Sequence, residues 1–264
     1  MQASQTSFDT PDARAILNIA AYQFARIDDV DALVAGVRAQ CEARGLRGSV
    51  LVAPEGINLF LAGAAGDVRG LLAWLRGDPR FAALAAKESW SATVPFARLK
   101  VKRKAEIIAF RREHASPLEA GTRAPSVDPA TLRRWIAQGH DDAGRRLLLL
   151  DTRNREEFAH GSFAGALTLP IDNFTELPDA LAPHRAGLAD ATVVSFCTGG
   201  IRCEKAALWL RHDGMYNLLQ LDGGILGYFE QVGGEGYDGR CFVFDDRVAL
   251  DPALRPLADD DTLA

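Results

Sequence analysis

The sequence has no apolar run approaching the roughly 20 residues that a membrane-spanning helix needs. Its opening, Met1–Arg14, lacks the basic start and the apolar stretch of a secretory leader, so a cytoplasmic protein is expected. Cysteine is scarce, with four in 264 residues. Two of the four share one short segment, which fits a reducing compartment rather than a disulfide scaffold. Positive charge is not in excess. The 30 Lys and Arg residues face 35 Asp and Glu, and a net charge of −5 argues against indiscriminate nucleic-acid binding. The five histidines show no facial-triad spacing, and no Gly-x-Gly-x-x-Gly turn for a flavin or nicotinamide occurs. The residues thus point to no metal site and no cofactor.

What is present is concentrated at Cys197-Thr198-Gly199-Gly200-Ile201-Arg202-Cys203-Glu204-Lys205. The preceding run, 191–196, is apolar and β-branched and reads as a buried strand. The following residues, 204–210, read as a helix that Gly214 ends. A strand therefore delivers Cys197 into a glycine turn at a helix N-terminus. Inward-pointing N–H groups, the helix dipole and the charge of Arg202 all favour thiolate over thiol. A buried inert thiol is the bland alternative, and the two glycines and the arginine do not suit it. Only four residues separate Cys197 from Arg202, and residue 196 is Phe, so the loop is shorter than the His-Cys-x5-Arg phosphatase signature.

This strand–loop–helix segment resembles the active-site loop of rhodanese-like domains. Leu147–Leu150 followed by Asp151-Thr152-Arg153, Glu157 and Gly161-Ser162-Phe163-Ala164-Gly165-Ala166 agrees with that likeness, as does Leu219-Gln220-Leu221-Asp222-Gly223-Gly224-Ile225. Ser162 stands where the rhodanese pattern usually has histidine, so a role for that histidine does not transfer. The nine-residue Cys197 block, the run Cys241–Val248 and the segment Leu51–Asn58 narrow the resemblance. Together they are similar to one subfamily, the rhodanese-domain tRNA uridine hydroxylases. That resemblance implies a tRNA substrate, 5-hydroxyuridine at the wobble position as product, and molecular oxygen as co-substrate. It names no electron donor. Many members carry a cysteine-rich tail, whereas this chain ends in an acidic stretch, Asp259-Asp260-Asp261, expected to be a solvated terminus.

At this length two domains are expected. Residues 1–112 follow a βαββαβ rhythm, with strands at 16–27, 48–53, 57–62, 88–94 and 99–110. Asp28-Asp29 is placed to cap the first helix, and Asp67 to begin the second. This order predicts a ferredoxin-like or acylphosphatase-like α+β sandwich. Residues 113–127, polar and without periodicity, read as a linker. Residues 128–236 alternate helix and strand as a parallel, rhodanese-like α/β domain requires, and 237–264 form a C-terminal extension. Asp151 and Cys197 each follow a strand end, which places them at one crevice, with Arg153 in support.

Several side chains keep two readings. Arg98, Lys100, Lys102, Arg103 and Lys104 crowd seven residues, Arg111 and Arg112 follow the next apolar run, and such a strip suits RNA phosphates, or else forms a solvated, protected strand edge. Cys203 either resolves an oxidised Cys197 or packs as a small apolar group. Cys241 reads as structural. Glu55 and Asn58 either satisfy their hairpin turn or face the second domain or the substrate RNA. Three functions remain in view: a tRNA-modifying oxygenase, a sulfurtransferase carrying a Cys197 persulfide, and a noncatalytic rhodanese-like binding module.

Overall fold

The computed structural model describes residues 16–257. The acidic end therefore lies outside the described residues. The first unit runs β1 (Ile16–Phe24), α1 (Val30–Ala43), β2 (Arg47–Ala53), β3 (Gly56–Ala64), α2 (Ala65–Arg76), β4 (Ala86–Ser91) and β5 (Leu99–Arg103). Its sheet has the order β4-β1-β3-β2-β5. Strand β3 is antiparallel to β1 and β2, and β5 is added parallel to β2. This is the split-βαβ sandwich with one extra edge strand.

Alternation along β1 gives the sheet two different faces. Leu17, Ile19 and Ala21 enter the core shared with Val37 of α1 and Leu71 of α2. Ala20, Tyr22 and Phe24 point the other way, to the face without helices. Phe24 packs instead against the cluster of Ala53, Ile107 and Ile201.

Two local expectations differ from what forms. The last strand stops at Arg103, not at Phe110, because side chains take over the backbone partners beyond it. Glu55 accepts from the Ile107 N–H at 2.8 Å, and Glu106 accepts from Phe110 and Arg111 at 2.9 and 3.0 Å. Asp29 precedes α1, but its carboxylate pairs with Arg80 and makes no cap bond.

The second unit continues with α3 (Pro117–Ala120), β6 (Ser126–Val127), α4 (Pro129–Gln138), β7 (Leu147–Asp151), α5 (Arg155–Phe158), β8 (Gly161–Phe163) and β9 (Leu167–Thr168). Then follow α6 (Leu177–Leu181), α7 (Arg185–Leu188), β10 (Thr192–Phe196), α8 (Ile201–His212), β11 (Leu218–Leu221) and α9 (Gly224–Val232). Its main sheet, β6-β11-β10-β7-β9, is parallel throughout. Ser126 and Val127 thus belong to this sheet, although their polar, Pro-containing neighbourhood reads as linker. The chain past α9 folds back: β12 (Tyr237–Gly239) pairs with β8, and β13 (Cys241–Phe242) pairs with β14 (Ala249–Leu250). Among the described residues no helix is long and apolar enough to cross a membrane.

Candidate active site

Strand β10 is buried along its whole length, and its carboxyl end presents Cys197 where β7 and β11 also end. Gly200 takes φ 99°, a conformation that suits glycine, and turns the chain into α8. Its N–H donates to Cys197 Sγ at 3.1 Å. The start of α9 pins the loop from behind. Ile225 N–H donates to the Cys197 carbonyl at 2.9 Å, and Leu226 N–H to that of Thr198 at 3.0 Å.

Burial opposes ionisation of Cys197, and several groups outweigh it. The Cys203 thiol donates to the sulfur, Arg202 supplies charge, and the N–H groups of Cys203 and Arg202 point at it, so the thiol pKa falls to about 5. Cys203, by contrast, is raised well above the ordinary thiol range by burial and by its thiolate neighbour. It also lies 3.4 Å from Thr152 Oγ1. Cys203 is therefore both packed and in contact with the reactive sulfur. Burial pushes Cys241 up to about 12, so it stays protonated beneath Thr198.

Arg202 is itself held in a buried two-pronged pair with Glu157, at 2.5 and 2.7 Å. Burial alone would raise the Glu157 carboxyl, but Arg202 keeps it below the usual carboxylate range. Thr198 Oγ1 also donates to Glu157, at 3.3 Å. The site thus carries a thiolate whose counter-cation is fixed in place.

Asp151 and Arg153 do not join this crevice. They form a fully buried pair with each other, and neither lines the cavity above Cys197. Ser162 donates to Asp151 at 2.8 Å, while Arg153 donates to the Gly161 carbonyl at 2.7 Å. Tyr237 donates to the same carbonyl at 2.8 Å. Their work is to tie the end of β7 to β8 and β12. A strand end was the right place, but the side chain at it turned inward to its own arginine.

The open face of the first sheet roofs Cys197. Between the two units lies a cavity of about 920 Å³, with Cys197, Thr198 and Gly199 at its floor and Tyr22, Phe24 and Asn58 in its roof. That size matches the clefts of about 300–1,000 Å³ that hold small molecules. Ala53, Ile107 and Ile201 pack together as an apolar cluster at the junction of the two units. Helix α8 then contributes two adjacent buried charges. Glu204 accepts from Tyr22 Oη at 3.2 Å and from Arg123 at 2.8 and 3.1 Å. Lys205 donates to Glu55 at 2.7 Å, to Glu106 at 2.6 Å and to the Ile108 carbonyl at 3.1 Å. Glu55 and Asn58 therefore face the second unit and the 104–110 crossing, not their own turn.

Residues 16–107 match the family described as UPF0176 acylphosphatase like domain, and residues 128–231 match the Rhodanese-like domain. A protein of Xanthomonas euvesicatoria pv. vesicatoria named tRNA uridine(34) hydroxylase is 68% identical over 249 residues, covering 94% of this chain and all of that one. The protein of that name from Xylella fastidiosa is 63% identical over 92% of this chain and 94% of its own length. The chain belongs to the tRNA uridine(34) hydroxylase family. Among solved structures, a rhodanese-like domain from Anabaena is 21% identical, covers 44% of this chain and 79% of that one, and gives a TM-score of 0.35.

For this member of the tRNA uridine(34) hydroxylase family, sequence reasoning reached the floor of the cavity and missed its roof. Tyr22, Arg123, Glu204 and Lys205 carry the junction. The available signal was the pair Glu204-Lys205 at the start of a helix that is buried nearly all round, where charges require partners. The Arg98–Lys104 strip sits on and beside the edge strand β5, solvent-exposed at every one of its five cations. None of the five lines the cavity.

Proposed function

We propose that this protein hydroxylates C5 of uridine 34 in tRNA, in the cytoplasm, with Cys197 as the nucleophile. The observation that carries the reading is a thiolate stabilised at the floor of a nucleotide-sized cavity that a second domain roofs. C6 of a uracil ring is conjugated to the C4 carbonyl and accepts a thiolate. Addition of Cys197 Sγ to C6 leaves an enolate whose electron density lies at C5, the atom to be oxidised. Dioxygen, as the family resemblance implies, supplies one atom to C5. Its second atom leaves as water, using two electrons and two protons from a donor. Loss of the C5 proton and departure of the thiolate then restore the ring.

Nucleoside mass spectrometry on tRNA from cells lacking the protein tests this. Complementation with the natural sequence restores 5-hydroxyuridine and its derivatives, and Cys197→Ala does not. Modification that persists without the protein removes the assignment, and full restoration by Cys197→Ala removes the nucleophile.

Sulfur transfer is the second reading. It is favoured by a loop shorter than the phosphatase signature, in which an inward N–H, that of Gly200, donates to Cys197 Sγ at 3.1 Å. A stable gain of one sulfur on Cys197 after thiosulfate treatment, seen by intact mass, supports it.

A further inference from the structure

The strip of cations on β5 is divided by the register of the sheet. Ser49 of β2 lies between Lys100 and Phe60, and Phe60 pairs in turn with Ala20, which pairs with Lys87. Leu51 likewise lies between Lys102 and Asn58, and Asn58 pairs with Tyr22. Residues directly opposite one another share a face. Lys100 and Lys102 therefore stand on the open face, in the same two rows as the cavity roof. Three strand spacings, about 14 Å, separate Lys102 from Tyr22. Val101 and Arg103 point to the other face. Val101 is in the helix-side core, and Arg103 pairs with Asp31 of α1 at 2.6 Å.

The cavity lining adds a third free charge. Lys87 is paired with Glu230, Arg123 with Glu204 and Arg202 with Glu157. Arg111 also lines the cavity, and among the described residues its guanidinium makes no ion pair. Its backbone is held at φ 58°, a conformation costly for a side chain with Cβ. Glu106 fixes it there by accepting from the Arg111 N–H, and Lys205 of α8 fixes Glu106. Phe60 is half-exposed on the open face, and Phe244, well exposed beside it, meets its ring edge-on at 6.5 Å.

We infer that the open face of the first sheet and the cavity below it form one binding surface for single-stranded RNA, an inference that rests on the tRNA reading above. Lys100 and Lys102 hold backbone phosphates at the outer end, Phe60 and Phe244 offer stacking surfaces, and Arg111 holds a phosphate at the cavity mouth. The nucleotide between them turns its base down to Cys197. Aromatic groups on a sheet flanked by free cations suit unpaired bases, and each phosphate contact makes binding depend on salt.

The test is binding of a labelled anticodon stem–loop RNA, with uridine at the wobble position, to the full chain across a salt series. Lys100→Gln with Lys102→Gln, and Arg111→Gly, each weaken binding several-fold. Each lost contact makes the slope of log affinity against log salt shallower by about 0.7–0.9. Arg103→Gln, the same change of charge one residue along, leaves both quantities as in the natural sequence. Arg111→Gly unfolds at the same or a higher temperature, because glycine adopts φ 58° without strain. An Arg103→Gln effect as large, per charge removed, as that of the Lys100→Gln with Lys102→Gln variant overturns the inference, and so does natural affinity in Arg111→Gly. Failure of the natural protein to bind the RNA at all overturns this inference and the tRNA reading together. Binding that none of the variants alters overturns this inference alone.

Discussion

The Tyr22 hydroxyl donates to Glu204 Oε2 at 3.2 Å, joining a strand of the first sheet to the helix that opens at the reactive cysteine. The same hydroxyl occupies space beside Gly200. A Cβ at that glycine would come within 3.1 Å of it. The first domain thus reaches the Cys197 loop itself, and burial together with the Glu204 carboxylate raises the Tyr22 phenol beyond any ordinary titration. Tyr22 remains a hydrogen-bond donor at every working pH.

The lowered thiol of Cys197 sets a pH dependence. Its reactive form is the anion, so reactivity is full above the folded pKa and falls as the pH drops through about 5. Rates of alkylation by iodoacetamide measured from pH 4 to 9 are expected to plateau above about pH 6. Cys203→Ala deletes the largest of the favourable contributions, so its midpoint moves to higher pH. A midpoint unmoved by that substitution would show that the thiol–thiol hydrogen bond has no part in activating Cys197.

Lys205 is buried between Glu55 and Glu106. Lys205→Met leaves two carboxylates facing each other across the domain junction without their cation. Removing one partner of a buried pair costs about 3–5 kcal/mol. Denaturant unfolding is expected to show a loss of that order, and limited proteolysis a new cut in the 104–125 crossing. Unchanged protease resistance would mean that the remaining junction contacts, Tyr22 with Glu204 and the apolar packing, hold the domains without this charge cluster.

Two glycines with nearly the same backbone conformation separate close packing from strain. Gly224 has φ 63° and Gly165 φ 69°. A Cβ at Gly224 would lie 2.5 Å from the Cys197 carbonyl oxygen and 2.7 Å from the Gly200 nitrogen, whereas at Gly165 it meets nothing within 4 Å. Gly165→Ala is expected to cost only about 1–2 kcal/mol of backbone strain. Gly224→Ala adds an overpacking cost of about 1–3 kcal/mol and pushes the loop off its hydrogen bonds. Activity per folded molecule should fall in Gly224→Ala and hold in Gly165→Ala.

Arg153→Met tests the reassigned pair. Asp151 keeps the Ser162 hydroxyl and the residue-153 N–H but loses the guanidinium. A stability loss of about 3–5 kcal/mol is expected, with Cys197 alkylation at its natural rate in the protein that remains folded. A specific loss of thiolate reactivity would return Asp151 and Arg153 to the active site.

The reactive turn was legible in the sequence because everything that makes it is contiguous. A buried strand, a cysteine, two glycines and a helix start occupy residues 192–212, and their conformations are set by nearest neighbours. The order of the two domains was legible for a similar reason, since periods of two and 3.6 residues report which face of each element is apolar. Partnership was not. Tyr22 and Glu204 lie 182 residues apart, and Lys205 and Glu55 lie 150 apart. No local pattern distinguishes a charge that docks a domain from one that meets water. Asp151 stood at a strand end, as a site residue should, yet the inward turn of Arg153 removed it from the crevice. The β5 cations read as one strip until pairing with β2 assigned alternate members to opposite faces. The sequence by itself determined the strand, turn and helix that hold the sulfur and the class of each domain. Only the tertiary structure decided what roofs that sulfur and which cations share its face, because both depend on contacts between segments distant along the chain.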